Sequence, residues 1–277
     1  MHSTVRVTFF FLAIMFMADS SRPVSAAGFD AEQAVCGAIR EPLAFWLWQR
    51  IAGRPDAQRV AHIPNLEPIR FTTRDGITLG GYKLAARAPK GYVLVAQGNA
   101  MLADQLLDDL RLFRDLGFDV YLYDYRGYGL SGGKGRLAAI VADYAEIVAH
   151  LNTLGYKRRL LYGISIGGVM LLNAAGREHN FDAAVIDSSP SRISGFGCPE
   201  SYDPVSHLPQ DSSRIMIISG ARDSVVTPAQ MAQLIDVAAS RGAAILRHDA
   251  FAHPYQDSSH ALHRHRLNEV ARFLIQE

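Results

Sequence analysis

The chain has 277 residues, of which 49% are hydrophobic and 20% charged, a globular composition that excludes an intrinsically disordered chain. Its formal net charge at pH 7 is +1, so the charge balance gives no argument for binding to nucleic acid or to an anionic membrane. The length fits one large α/β domain or two small domains.

The N-terminus has the pattern of a secretory signal peptide. Arg6 precedes an apolar run from Val7 to Ala18, and a polar stretch then ends in the small-residue site Val24-Ser25-Ala26. The run is shorter than the roughly 20 apolar residues that a membrane-spanning helix needs. We therefore expect cleavage after Ala26 within a signal peptide of residues 1–26, a secreted or periplasmic protein, and no stable membrane insertion of the mature chain. An uncleaved anchor is the alternative.

Cys36 and Cys198 are the two cysteines of the chain. In an oxidising compartment an even pair indicates one disulfide, and closing so long a loop would stabilise the fold by about 2–5 kcal/mol. Because sequence says nothing about the distance between the two sulfur atoms, two unpaired buried thiols are the alternative.

Strand and helix patterns alternate along most of the chain. Asp75-Gly76, between two strand-like segments, predicts a hairpin. Continuous apolar runs predict buried strands at 92–96, 120–123, 160–162, 183–186, 215–218 and 244–246. Leucine spacing and glycine or proline boundaries predict helices at 102–116, 137–151, 228–240 and 260–275. The alternation indicates a mostly parallel sheet with helices on both faces, in a domain of residues 69–277 that carries an N-terminal extension, 27–68, packed on it.

The segment Gly163-Ile164-Ser165-Ile166-Gly167 follows a predicted strand and opens a helix-like segment. A serine at such a turn has a strained backbone, and the small residues two positions before and after it let the neighbouring backbone approach. Its hydroxyl is then exposed above the sheet, and the Ile166 N–H at the helix start favours an anion. A turn that serves packing alone is the alternative.

A nucleophilic serine needs a base to take its proton and a group to orient that base. Asp223 follows one predicted strand, and His253 follows the last one. Because the carboxyl ends of parallel strands share one edge of a sheet, we expect Ser165, Asp223 and His253 to converge there.

Other residues compete for these roles. His248, within the last strand, is the alternative base, and Asp187, at the end of a strand, is the alternative acid. Asp223 could instead cap the turn before Pro228. On the last helix, a solvated stripe rather than a metal site is expected for His260, His263, Arg264, His265 and Arg266.

Acyl transfer also needs two donors for the developing oxyanion. The Ile166 N–H is one of them. We expect the second in the loop Gln97-Gly98-Asn99-Ala100, where Gly98 allows close approach and the N–H of Asn99 or Ala100 would point into the site. A plain strand-to-helix turn is the alternative.

Three motifs carry a family resemblance: the serine turn, Gly98-Asn99-Ala100, and Tyr123-Asp124-Tyr125-Arg126-Gly127-Tyr128-Gly129-x-Ser131-x-Gly133. With them, and with the chain order Ser, Asp, His, residues 69–275 resemble the α/β-hydrolase superfamily, above all the BEM46/ABHD-type serine hydrolases. The resemblance implies an α/β-hydrolase fold with an eight-stranded, mostly parallel sheet. It also implies a Ser165–His253–Asp223 triad that acts without cofactor or metal.

This chain departs from the family pattern in two places. Gln97 stands where such proteins usually have histidine, and the segment between Asp187 and Arg214 has room for a small lid or none. We expect a serine hydrolase, a carboxylesterase or thioesterase, acting on small-molecule acyl esters and not on nucleic acid. A peptidase or acyltransferase with the same triad, or a non-catalytic binding protein of this fold, are the alternatives.

Overall fold

The computed structural model describes residues 35–177 and 180–276. The predicted signal peptide and its cleavage site therefore lie outside the described residues. Within that part of the chain, none of the helices combines the length and hydrophobicity that spanning a bilayer requires.

One eight-stranded sheet forms the centre of the described chain. Its strands are β1 (Leu66–Thr72), β2 (Thr78–Leu84), β3 (Gly91–Ala96), β4 (Phe118–Tyr123), β5 (Arg158–Ile164), β6 (Ala183–Asp187), β7 (Ile215–Gly220) and β8 (Ala244–His248). They lie in the order β1-β2-β4-β3-β5-β6-β7-β8. The β1–β2 hairpin and the β2–β4 pair are antiparallel, and all the other pairs are parallel. The predicted hairpin and mostly parallel sheet are confirmed.

Seven α-helices accompany this sheet in the described residues. They are α1 (Arg40–Ala52), α2 (Ala57–Val60), α3 (Leu107–Asp115), α4 (Leu137–Asn152), α5 (Ile166–Leu171), α6 (Pro228–Ser240) and α7 (His260–Ile275). The helix predicted over 102–116 is interrupted, because a 3₁₀ turn at Ala103–Gln105 precedes α3. Side chains take the backbone donors there: the Leu102 N–H donates to Gln105 and the Ala103 N–H to Asp124. A local hydrogen-bonded turn thus replaces the first helical turn.

The core has two halves, one on each face of the sheet. Strand β3 shows the division, because Tyr92 and Leu94 belong to one half, and Val93 and Val95 to the other. The first half is completed by residues of α1, α4, α5 and α6, and the second by residues of α3 and α7. This alternation is the period of a strand covered on both faces.

The predicted solvated stripe on α7 is wrong for two of its residues. His263 and Arg266 are buried, Arg266 with 0% of its surface exposed. They share the inward face of the helix with Leu267 and Val270, which is the spacing of one helical side. Aspartates neutralise their charges inside the fold, at ion-pair distances of 2.7 to 3.7 Å.

Cys36 and Cys198 are bonded to each other, which confirms the predicted disulfide. The bond joins the segment before α1 to the connection between β6 and β7. Beside it, the Val35 N–H donates to the Phe196 carbonyl at 2.7 Å. The start of α1 is therefore held on the edge of the sheet that carries the predicted serine turn.

Candidate active site

Ser165 lies at the tip of a tight turn between β5 and α5. Its φ is 55° and its ψ −119°, a strained conformation for a residue with a side chain. The turn depends on its glycines: a Cβ on Gly163 would lie 2.7 Å from the Gly168 Cα, and one on Gly167 would lie 2.0 Å from the Ala96 oxygen. The Ser165 N–H donates to the Asp187 carbonyl at 2.8 Å, which fixes the turn against β6.

Asp223 and His253 are hydrogen-bonded at the ends of β7 and β8. The distance from His253 Nδ1 to Asp223 Oδ2 is 2.9 Å, and Asp223 Oδ1 accepts the N–H groups of Val225 and Val226. Burial acts to raise the pKa of Asp223, but these hydrogen bonds and the imidazole lower it below its usual value. An ionised carboxylate can only accept, so Nδ1 carries the proton and Nε2 is left as the basic atom.

Ser165 and His253 line the same cavity, which has a volume of about 410 Å³. The predicted oxyanion residues Ile166, Asn99 and Ala100 line it too. Most of the remaining wall is apolar and includes Phe45, Trp48, Ile51, Ile193, Phe196 and Val225. A larger groove of about 1290 Å³, at the opposite edge of the sheet, contains none of the predicted catalytic residues. Of these two cavities, the smaller one is lined by both the predicted nucleophile, Ser165, and the predicted base, His253.

The loop after β3 is held by the Asn99 side chain. Its Oδ1 accepts the Ala100 N–H at 2.9 Å and the Tyr128 hydroxyl at 3.1 Å, and Ala100 has a φ of 55°. Tyr125 donates its hydroxyl to the Gln97 carbonyl. The Gln97 amide, which takes the place of the usual histidine, is buried without a hydrogen-bond partner among the described residues. The two tyrosines thus show what the motif after β4 does: it supports this loop.

Asp124, in the same motif, explains one of its glycines. Its two carboxylate oxygens accept the N–H groups of Ala103 and Leu130 at 2.7 and 2.8 Å. A Cβ on Gly129, whose φ is 45°, would lie 2.1 Å from Asp124 Oδ2, so no larger residue fits. Burial raises the pKa of Asp124 to about 6, against the effect of the two N–H groups.

The alternative acid and base do not enter this arrangement. Asp187 is fully buried, and its Oδ1 accepts Arg266 Nη1 at 2.7 Å, while His253 bonds to Asp223 instead. His248 accepts the Ala250 N–H at 3.2 Å through Nδ1 and stacks on Phe251, and it does not line the cavity. Of the aspartates and histidines that the sequence offered, the structure joins Asp223 and His253.

Known proteins with similar sequences or structures agree with this architecture. Residues 87–194 match the family described as "Serine aminopeptidase, S33". The polyketide transferase grgF of a Penicillium species is 30% identical over 148 residues, 50% of each chain. The alpha/beta hydrolase domain-containing protein 17C of Xenopus tropicalis is 29% identical over 177 residues, 58% of this chain and 56% of that protein. The matches thus span about half the length of these curated relatives. The esterase Pf2001 of Pyrococcus furiosus has a TM-score of 0.62 at 16% identity, covering 76% of this chain and 91% of its own.

The fold is that of an α/β-hydrolase, and the matches support the BEM46/ABHD type. The resemblance and the fold expected from the sequence motifs are thereby confirmed.

A buried arginine, which the sequence analysis placed in a solvated stripe, supports the loop that carries His253. Arg266 donates to Asp187 at 2.7 Å, to both carboxylate oxygens of Asp257 at 2.9 Å, and to the Ala252 carbonyl at 2.6 Å. The Ala252 N–H donates to Asp257 as well, at 2.9 Å. Because the Asp187 carbonyl also accepts the N–H of Ser165, Arg266 connects the serine turn with the residue next to His253. An arginine at a core-facing position of α7 was the available signal.

His263, also on α7, lies between two carboxylates. Its Nε2 is 3.3 Å from Asp109 and its Nδ1 is 3.7 Å from Asp257, which are ion-pair distances without hydrogen-bond geometry. The ring packs on Tyr255 with 4.5 Å between centroids. Burial opposes protonation, but the two carboxylates outweigh it and raise the pKa of His263 to about 9. His263 therefore carries a positive charge at neutral pH, inside the fold.

Proposed function

We propose that the protein is a serine hydrolase that cleaves carboxylic esters or thioesters through an acyl-enzyme, with Ser165, His253 and Asp223 as its triad. One observation carries the proposal. A histidine bound through Nδ1 to a buried, ionised aspartate lines the same apolar cavity as a serine on a strained strand-to-helix turn. That arrangement brings a basic imidazole nitrogen and a hydroxyl to one cavity, as nucleophilic catalysis requires.

The reaction begins when Ser165 Oγ attacks the acyl carbonyl and its proton passes to His253 Nε2. The carbonyl oxygen becomes an oxyanion, which accepts hydrogen bonds from the Ile166 N–H and from an N–H of the Asn99–Ala100 loop. Since the Ala100 N–H is bound to Asn99 Oδ1, the substrate oxyanion has to displace that bond or use the Asn99 N–H.

Collapse of this intermediate breaks the bond from the carbonyl carbon to the alcohol oxygen or thiol sulfur, and the leaving group takes the proton from His253. Water then attacks the acyl-enzyme and gives its proton to the same nitrogen. The acid is released when Ser165 recovers its proton. Throughout, Asp223 stays ionised and holds the imidazole in one tautomer.

The cavity wall supports a substrate with a hydrophobic acyl group. Phe45, Trp48 and Ile51 from α1 line this cavity together with Ile193 and Phe196, so an acyl chain would replace water against apolar surface.

We also propose that the protein is secreted or periplasmic and that its signal peptide is cleaved near Ala26. The Cys36–Cys198 bond supports an oxidising compartment, because structural disulfides are rare in a reducing cytosol.

A peptidase or an acyltransferase with the same triad is the second candidate. The matching family is described as a serine aminopeptidase, which supports cleavage of an amide in place of an ester. The relative grgF is described as a polyketide transferase, which supports an acyl acceptor other than water. Two incubations separate ester hydrolysis, acyl transfer and peptide cleavage. An activated ester with competing alcohols shows whether the acyl group passes to an alcohol. Peptide amides with a free amino terminus show whether an amide bond is cleaved. Ester hydrolysis that neither alcohols nor amines divert supports the first candidate.

Labelling with a fluorophosphonate probe, together with turnover of p-nitrophenyl esters of increasing chain length, tests the proposal. We expect Ser165→Ala to abolish labelling and to lower turnover by at least 10³-fold, the scale of removing a triad member. Ser240→Ala, at an exposed position on α6, is the matched control and should keep both. A folded protein that neither labels nor turns over any ester would instead be a binding protein of this fold.

A further inference from the structure

Helix α1 presents a stripe of large apolar side chains to the outside of the protein. Seven large hydrophobic side chains are exposed in the part of the chain that the structure describes, and five of them lie on or just before α1. These five are between 40 and 81% exposed: Ile39, Leu43, Trp46, Leu47 and Ile51. Their spacing of three and four residues puts them on one side of the helix. A stripe of this kind marks an interaction surface rather than scattered exposure.

The opposite side of α1 is fixed to the domain, so the helix cannot turn to bury the stripe. Phe45 is buried against Gly135, where a Cβ would lie 2.7 Å from its ring. Glu41 accepts the Leu137 N–H at 2.7 Å at the start of α4, and the disulfide at Cys36 holds the segment before the helix.

Among the described residues, the exposed charges beside the stripe are positive. Arg50 on α1 and Arg54 just beyond it are exposed, whereas Glu41, the one acidic residue of the helix, is turned toward the domain. The Arg50 guanidinium lies 5.3 Å from the centre of the Trp46 ring. Lys134 is exposed in the loop that leads to Gly135, on which Phe45 packs. The local charge is therefore cationic, although the whole chain carries only +1.

The stripe is continuous with the catalytic cavity. Leu47 and Ile51 belong to the exposed stripe and also line the cavity that contains Ser165 and His253. A hydrophobic molecule that reaches this side of α1 thus meets an apolar surface that leads to the nucleophile.

We propose that α1 docks on an anionic lipid surface, with its apolar stripe in the headgroup and acyl boundary and its arginines beside the lipid phosphates. Apolar and aromatic side chains bordered by cations are the composition of helices that lie in such an interface. Docking brings the cavity mouth to the lipid, so an ester with a long acyl chain enters along α1 without passing through water. The docking itself depends only on α1; the choice of substrate rests on the function proposed above.

Vesicle binding tests the docking without turnover. The full chain with Ser165→Ala is floated with vesicles of phosphatidylcholine alone and of phosphatidylcholine with 30 mol% phosphatidylglycerol. We expect binding to the anionic vesicles, weakened at least tenfold by Leu43→Ser with Trp46→Ser, two residues outside the cavity wall. The matched control, Leu130→Ser with Leu154→Ser, removes equally exposed leucines elsewhere and should bind as the parent does.

Two results would overturn the docking. One is equal vesicle binding by the parent and the Leu43→Ser/Trp46→Ser variant, which would assign the affinity to another part of the chain. The other is a parent that sediments as a dimer and ignores vesicles, with a variant that sediments as a monomer, because the stripe would then be covered by a second copy.

Activity separates this inference from the proposed function. In the chain that retains Ser165, the α1 variant should hydrolyse a soluble p-nitrophenyl butyrate normally but lose at least tenfold on p-nitrophenyl palmitate dispersed in anionic vesicles. Vesicle binding without any ester turnover by the parent would remove the proposed function and leave the docking. Equal loss on both esters would show that α1 serves the cavity alone.

Discussion

His253 and His263 stand ten residues apart in the sequence, and each lies beside an aspartate, yet their surroundings give them different tasks. His253 lines the cavity and binds one carboxylate, which leaves its second nitrogen available for the proposed reaction. His263 is enclosed between the carboxylates of Asp109 and Asp257, and both of its nitrogens face protein. Of the two histidines, only His253 thus meets the requirement of the proposed proton transfer, a nitrogen that a substrate can reach.

The largest expected effect concerns the hydrogen bond between Asp223 and His253. Asp223→Asn should lower kcat by roughly 10⁴-fold, because an amide does not hold His253 in the tautomer that leaves Nε2 basic. Ester kinetics measure the loss, and urea unfolding shows whether the fold is kept. Asp257→Asn is the comparison variant. A larger loss of kcat in this variant than in Asp223→Asn would contradict the assignment of Asp223 as the aspartate that orients His253.

The second prediction concerns the buried ion pairs that Arg266 makes with Asp187 and Asp257. Arg266→Met should destabilise the fold by about 3–5 kcal/mol, because Asp187 and Asp257 are left as buried charges without their cation. Urea unfolding measures the change, and Arg264→Met, on the exposed side of the same helix, should shift the free energy of unfolding by less than about 0.5 kcal/mol. Equal effects of the two substitutions would mean that the buried ion pairs do not contribute to the free energy of unfolding.

The smallest effect is a dependence of stability on pH. The pKa of His263 is raised from 6.5 to about 9 in the folded protein, so its contribution is complete below pH 6.5 and is lost as the pH rises through 9. The free energy of unfolding should therefore fall over this interval, by an amount on the order of 1–3 kcal/mol. Unfolding curves at several pH values should show that His263→Gln removes the fall and that His265→Gln, at an exposed neighbour, retains it. If the free energy of unfolding still falls over this interval in His263→Gln, a different titrating group causes the fall.

The amino-acid sequence alone predicted the alternation of strands and helices, the serine turn, and the meeting of Ser165, Asp223 and His253 at one edge of the sheet. The first two are local features, because periodicity and glycine placement are recognised from neighbouring residues, and the third follows from the parallel direction of the strands.

Long-range packing determines which aspartate binds His253. Asp187 and Asp223 both end parallel strands, and the choice between them depends on Arg266, which is distant in sequence and occupies Asp187. The same holds for the buried side of α7, where polar residues take core positions because Asp109, Asp187 and Asp257 neutralise them. The place of α1 over the cavity depends on the contacts of Phe45 and Glu41 with the loop before α4 and on the bond from Cys36 to Cys198. Pairings between distant residues leave no periodic trace in a sequence, and that is why they required coordinates.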